Sequence, residues 1–159
     1  MSVRSRVELL RQIPLFSDAA DAHLQLLAFA MDRITVPVGK HLIVEGEQRQ
    51  TAFIIAKGSA RIDFPGDDDP AQMVGPGACI GELSMLADLP YSFSAVAVSE
   101  LDCLQLTRDL FYRVAEEFPD FAEITLEAIT RRVDTTSRDL QNVARLFKQA
   151  RSFSNLAQS

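Results

Sequence analysis

The residues of this chain best suited to binding chemistry are consecutive. Ile80-Gly81-Glu82-Leu83-Ser84-Met85-Leu86 follows the turn residues Gly75-Pro76-Gly77. A glycine-rich turn running into a short helix offers backbone N–H groups without partners inside the helix. They lie at the positive end of its dipole, where an anion is attracted. After Ile80, the residues Gly81, Leu83 and Ser84 present those N–H groups, and Ser84 adds a hydroxyl. Glu82 is the wrong group for a phosphate but accepts hydrogen bonds from a sugar hydroxyl. Phosphate and ribose together describe a nucleotide.

Other reactive residue types form no comparable set. Ser84, Ser92 and Ser94 have no histidine near them in sequence, and His23 and His41 fall on separate elements. No nucleophile with its base is legible, so an enzyme is not expected. Asp67-Asp68-Asp69 lies between Pro65-Gly66 and Pro70 and reads as a solvated hairpin loop, without the spacing of a calcium loop. Cys79 and Cys103 sit in apolar, strand-like contexts and read as buried thiols rather than a disulfide. No metal or cofactor is expected.

The elements that must position the run change character along the chain. Val3 to Gln12 has helical spacing. Ile13-Pro14-Leu15-Phe16 breaks it, and Ser17 or Asp18 can cap a second helix from Ala19 to Ala30. From Arg33 to Val96 the pattern is short β-rich runs, which are 34–36, 41–44, 52–56, 60–64 and 72–74. Turns at Gly39, Gly46, Gly58 and Gly66 punctuate them. Two more strands follow, Phe93 to Val98 and Leu101 to Leu106. Asp109 to Phe118 reads as a helix, and Pro119 opens a longer one. On that helix Leu126, Ile129, Val133, Thr136, Leu140, Val143 and Phe147 recur at alternating steps of three and four, a heptad seam. A homodimer is expected through Leu126, Ile129, Val133, Leu140, Val143 and Phe147. The competing reading is one amphipathic helix packed on its own chain.

The pattern G-E-L-S-x-L, placed after strands with turn glycines at Gly39, Gly46 and Gly58 and an entry segment Leu15-Phe16, resembles the cyclic nucleotide-binding domain family. This is the sensor domain of the catabolite activator protein and of cyclic-nucleotide-dependent kinases and channels. The resemblance runs from about Leu10 to Phe147 and implies a mainly β fold with flanking helices, an eight-stranded jelly roll followed by a long C-terminal helix. It also implies cyclic AMP or cyclic GMP as ligand, with Glu82 on the ribose 2′-hydroxyl. In the family the cassette continues with proline, an arginine that pairs with the cyclic phosphate, and a small-Ala-small-Val strand.

Here the chain reads Pro90-Tyr91-Ser92-Phe93-Ser94-Ala95-Val96. Tyr91 takes the arginine's place without a gap, and Ser92 takes it with one inserted residue. Neither carries a charge, which removes about 1.5–3 kcal/mol, or one to two decades of affinity. Arg61, Arg131 and Arg132 are the substitute cations considered. Phe93 is expected in the core and Tyr91 on the surface at the pocket mouth, where either could line the site.

The whole therefore reads as one domain. It has N-terminal helices over 1–32, a β-roll over 33–107, C-terminal helices over 108–150 and a tail over 151–159. The formal net charge is −6, which argues against nucleic acid and anionic membrane as partners. No apolar run reaches the length of a membrane helix and no secretory signal is seen, so a cytoplasmic location is expected. The family's regulators carry a helix-turn-helix after the long helix. Ser159 ends this sequence before one, so a stand-alone regulatory sensor with an unnamed downstream protein is expected. The alternative is a ligand-free dimerisation and interaction module on the same fold.

Overall fold

A computed structural model of the chain describes residues 2–66 and 71–132. In chain order its elements are α1 (Val3–Arg11), α2 (Asp21–Ala30), β1 (Asp32–Val36), β2 (His41–Ile43), β3 (Thr51–Lys57), β4 (Ala60–Asp63), β5 (Gln72–Val74), β6 (Cys79–Ile80), α3 (Glu82–Ala87), β7 (Ser94–Ala97), β8 (Leu101–Thr107), α4 (Arg108–Glu117) and α5 (Pro119–Arg132). Met31–Arg108 form one compact unit, and the helical segments on either side of it in sequence form the other.

The first unit is a jelly roll of two four-stranded sheets, in the orders β1-β8-β3-β6 and β2-β7-β4-β5, with every pairing antiparallel. Side chains alternate across each strand, so one set from each sheet turns inward. Val36, Phe53, Ile55, Leu101 and Cys103 come from one sheet. Leu42, Ile43, Ile62, Ala95 and Ala97 come from the other, and together they make one buried cluster. β3 reads as a continuous apolar run because Ala52, Phe53, Ile54 and Ile55 are all buried, on both faces.

The helical unit has its own core. Leu15 and Phe16, the entry segment, are buried, and Phe16 stacks on Phe121 at 6.2 Å between ring centroids. Phe111 meets Phe121 at 5.5 Å, and His23 lies 4.3 Å from Phe118. Ser2 caps α1 by accepting from the Ser5 N–H at 3.1 Å. α2 starts at Asp21 rather than Ala19, because 13–19 coil into tight turns that postpone the helix. The Ser17 hydroxyl donates back to the Pro14 carbonyl at 3.3 Å.

Pro119 is the first residue of α5, as its missing N–H favours. Leu126, the first position of the expected dimer seam, is only 9% exposed within the single chain. The Ile129 side chain and Val133, Leu140, Val143 and Phe147 lie outside the described residues, as do Arg131 and Arg132 as side chains and the Asp67–Asp69 loop. Among the described residues no helix is long and apolar enough to cross a membrane.

Candidate ligand site

The cassette starts where β6 ends. β6 is two residues long, held to β3 by the pairs Phe53–Ile80 and Ile54–Cys79. The next residue, Gly81, has φ 82° and caps α3. Only glycine fits there. Beyond the unfavourable φ, a Cβ would lie 3.0 Å from the Thr51 carbonyl oxygen, 3.0 Å from Tyr91 Cε1 and 3.4 Å from Ile43 Cδ1. The sharp turn places Glu82 in the first turn of α3, half-exposed, with Leu83 half-buried beside it.

The far end of α3 is held by three side chains from other elements. Its C-cap, Asp88, is a non-glycine residue in the left-handed region, with φ 55° and ψ 47°. Gln48 Nε2 donates to the Asp88 backbone carbonyl at 3.0 Å and to its carboxylate at 2.9 Å, and Gln50 donates to the same carboxylate oxygen. These amides, Gln50 foremost, hold the Asp88 carboxyl below the ordinary carboxylate range. Arg108 Nη1 donates to the carbonyls of Met85 and Leu86, each at 2.8 Å. A cation thereby meets carbonyls of the last helical turn, which lack partners within the helix.

The residues read from the sequence divide by depth. Ile80, Gly81 and Ser84 are buried, Ser84 with 4% of its surface exposed. Ser92 is exposed. Tyr91 is not on the surface at a pocket mouth. It is 2% exposed and packs in the roll interior beside Ile43 and Ile80. Its hydroxyl donates to the Thr51 carbonyl at 2.6 Å. The physical reason is that a phenol can be buried once its single polar atom has an acceptor. Phe93 is half-buried against the same cluster and pairs with the exposed Phe64 at 5.8 Å.

Arg61 belongs to an inner strand, but its side chain faces solvent and bonds Asp63 at 3.2 Å, away from the roll interior. Cys103 is buried as expected, and burial pushes its thiol up to about 12, which makes it unreactive at neutral pH. Cys79 is only half-buried, because its strand is at a sheet edge, and neither thiol is in a disulfide.

The sequence reading missed Gln48, Gln50 and Arg108 as supports of α3, and Arg49 as a cation near it. Each acts over 22 to 40 residues of chain or through a short loop. Such contacts leave no periodicity to detect. A run of polar residues, Glu47-Gln48-Arg49-Gln50, placed just before the most buried strand was the one available signal.

Comparison with known proteins gives a consistent picture. The family model described as "Cyclic nucleotide-binding domain" matches residues 33–118. A cAMP-dependent protein kinase regulatory subunit from Emericella nidulans is 30% identical over 129 residues, covering 81% of this chain and 29% of that protein. A cyclic AMP receptor protein from Thermus thermophilus is 28% identical over 142 residues, covering 87% of this chain and 65% of that protein. The chain thus spans less than two thirds of either relative. A solved cyclic nucleotide-binding-like protein from Brucella abortus superimposes with a TM-score of 0.62 at 31% identity, over 70% of this chain and 97% of that one.

Proposed function

The chain belongs to the cyclic nucleotide-binding domain family, and from that premise we propose that it is a regulatory sensor domain whose cassette takes a cyclic nucleotide or a closely related small anion. The observation that carries this reading is the backbone at Gly81. Left-handed and without room for a side chain, it turns β6 sharply into α3 and sets Glu82 half-exposed in the first turn, where a carboxylate can accept from a ribose hydroxyl. The relatives named for cyclic AMP support that ligand class. Neither Tyr91 nor Ser92 supplies a charge, so without a substitute cation the affinity would fall about one to two decades below that of a cassette with its arginine.

Calorimetric titration with cyclic AMP and with cyclic GMP tests this, alongside Glu82→Ala. Wild-type protein is expected to release heat, and the variant to bind about tenfold more weakly or worse, the cost of leaving a ribose hydroxyl without its charged acceptor. Absence of heat with about 1 mM ligand, a binding free energy near −4 kcal/mol, would remove the sensor reading.

One observation favours a second reading. Tyr91 is buried in the roll beneath Gly81, and this filling suits a domain that has given up its ligand and acts by docking on a protein. On either reading the chain acts inside the cell as a dimer through the seam from Leu126 to Phe147, and ligand and assembly are coupled through that helix. Leu140→Asp is expected to halve the mass measured by light scattering. An unchanged mass would eliminate the seam.

A further inference from the structure

The missing arginine raises the question of whether another cation reaches the cassette. In the unit Met31–Arg108 the arginines are mostly committed. Arg33 pairs with Asp102 at 2.8 Å, Arg61 with Asp63 at 3.2 Å, and Arg108 serves the carbonyls of α3. Arg49 differs. Among the described residues it makes no ion pair with a carboxylate, and its guanidinium lies 5.9 Å from the centroid of the Phe53 ring. An arginine resting on a ring keeps its charge and its donors for another partner.

Its position is tied to the cassette by a short chain of contacts. Phe53 pairs with Ile80, the residue before Gly81. The Arg49 carbonyl accepts from the Thr51 hydroxyl at 2.9 Å, and the Thr51 carbonyl accepts from Tyr91. The same Thr51 carbonyl is what a Cβ on Gly81 would strike. The Tyr91 hydroxyl also senses the guanidinium. Burial pushes its pKa up, while the bond to Thr51 and then the Arg49 charge pull it back. Arg49, Thr51, Tyr91 and Gly81 are therefore one contiguous group.

We infer that Arg49 supplies, from the loop between β2 and β3, the positive charge for the cyclic phosphodiester of a bound nucleotide. By the resemblance, the place of the family's arginine falls to Tyr91, or to Ser92 with one inserted residue, both ahead of β7 and neither charged. The inference rests on the sensor reading above and names the residue that makes it electrostatically workable. The charge enters from an exposed loop, and Tyr91 keeps the interior closed.

The test compares wild type, Arg49→Ala and Arg49→Lys by calorimetry, each with cyclic AMP and with adenosine, which lacks the phosphate. Arg49→Ala is expected to weaken cyclic AMP at least about tenfold, with adenosine unchanged and Arg49→Lys in between. All three proteins are expected to melt together, since Arg49 is exposed. If wild type binds cyclic AMP and Arg49→Ala binds it equally well, Arg49 has no such role and the sensor reading survives. If wild type binds no cyclic AMP, both fall.

Discussion

Gly58→Ala is expected to destabilise the jelly roll more than the same change at Gly39, Gly46, Gly66, Gly75 or Gly81. Gly58 turns β3 into β4 with φ 90°, and a Cβ there would lie 2.2 Å from the Glu100 carbonyl oxygen, 3.0 Å from its carbon and 3.2 Å from Leu101 Cα. All three are backbone, so nothing can rotate away. The turn it abuts is itself pinned, because the Val98 N–H donates to the Ser59 carbonyl at 3.0 Å and the Ser59 N–H to the Ser99 hydroxyl at 3.0 Å. Left-handed backbone for alanine costs about 1–2 kcal/mol, and displacing packed backbone adds about 1–3 kcal/mol. Together they correspond to a melting temperature lower by about 10 °C for a chain of this size. Gly39→Ala is the control. Gly39 has a similar φ, 83°, with nothing within 4 Å of a Cβ, so it carries the backbone cost alone. Equal melting temperatures for the two variants would show that Glu100 and Leu101 yield, contrary to the packing described.

Tyr91→Ala is expected to be about as damaging, for a different reason. The side chain is 2% exposed and is among the largest that are fully enclosed. Truncating an aromatic ring in such a place costs about 3–5 kcal/mol through lost contacts and the cavity left behind. Tyr91→Phe removes only the hydroxyl and leaves the Thr51 carbonyl without its donor, about 1–2 kcal/mol. Urea unfolding midpoints order the three proteins accordingly. A midpoint for Tyr91→Ala close to wild type would mean that the residue stands in solvent, and the buried assignment would be wrong.

The pair also predicts a pH effect. The Tyr91 pKa is raised above its ordinary 10.0 in the folded state, chiefly by burial. The neutral phenol therefore favours folding, so its contribution is intact below pH 10 and is lost as pH climbs past that value. Tyr91→Phe should lack this alkaline component.

Why the strands were legible and Tyr91 was not follows from what spacing encodes. Alternation and turn glycines report period and boundary, and seven of the eight strands lie within a residue or two of where those signals put them, whereas β6, only two residues long, is too short to show a period and was not read. The cassette was legible as well, since Gly-Glu-Leu-Ser is a local pattern. Depth is a different quantity. Pro90-Tyr91-Ser92 has no periodicity to orient it, and whether a phenol is buried depends on an acceptor 40 residues away in sequence at Thr51. Arg108 is similar, because its donors close on carbonyls more than 20 residues earlier. A position that looked remote along the chain is adjacent in space. The start of α2 was placed two residues early for another reason. Good capping residue types also make tight turns, and 13–19 took that option.

Left-handed residues close α3 at both ends, Gly81 before it and Asp88 after it. Neither boundary can move without reversing the sign of a φ angle, so the six residues cannot wind on an extra turn or shed one. The segment is consequently a fixed-length bolt. Arg108 grips the bolt near its tail and is itself the first residue of α4, so one side chain ties the end of this fixed segment to the start of the next helix.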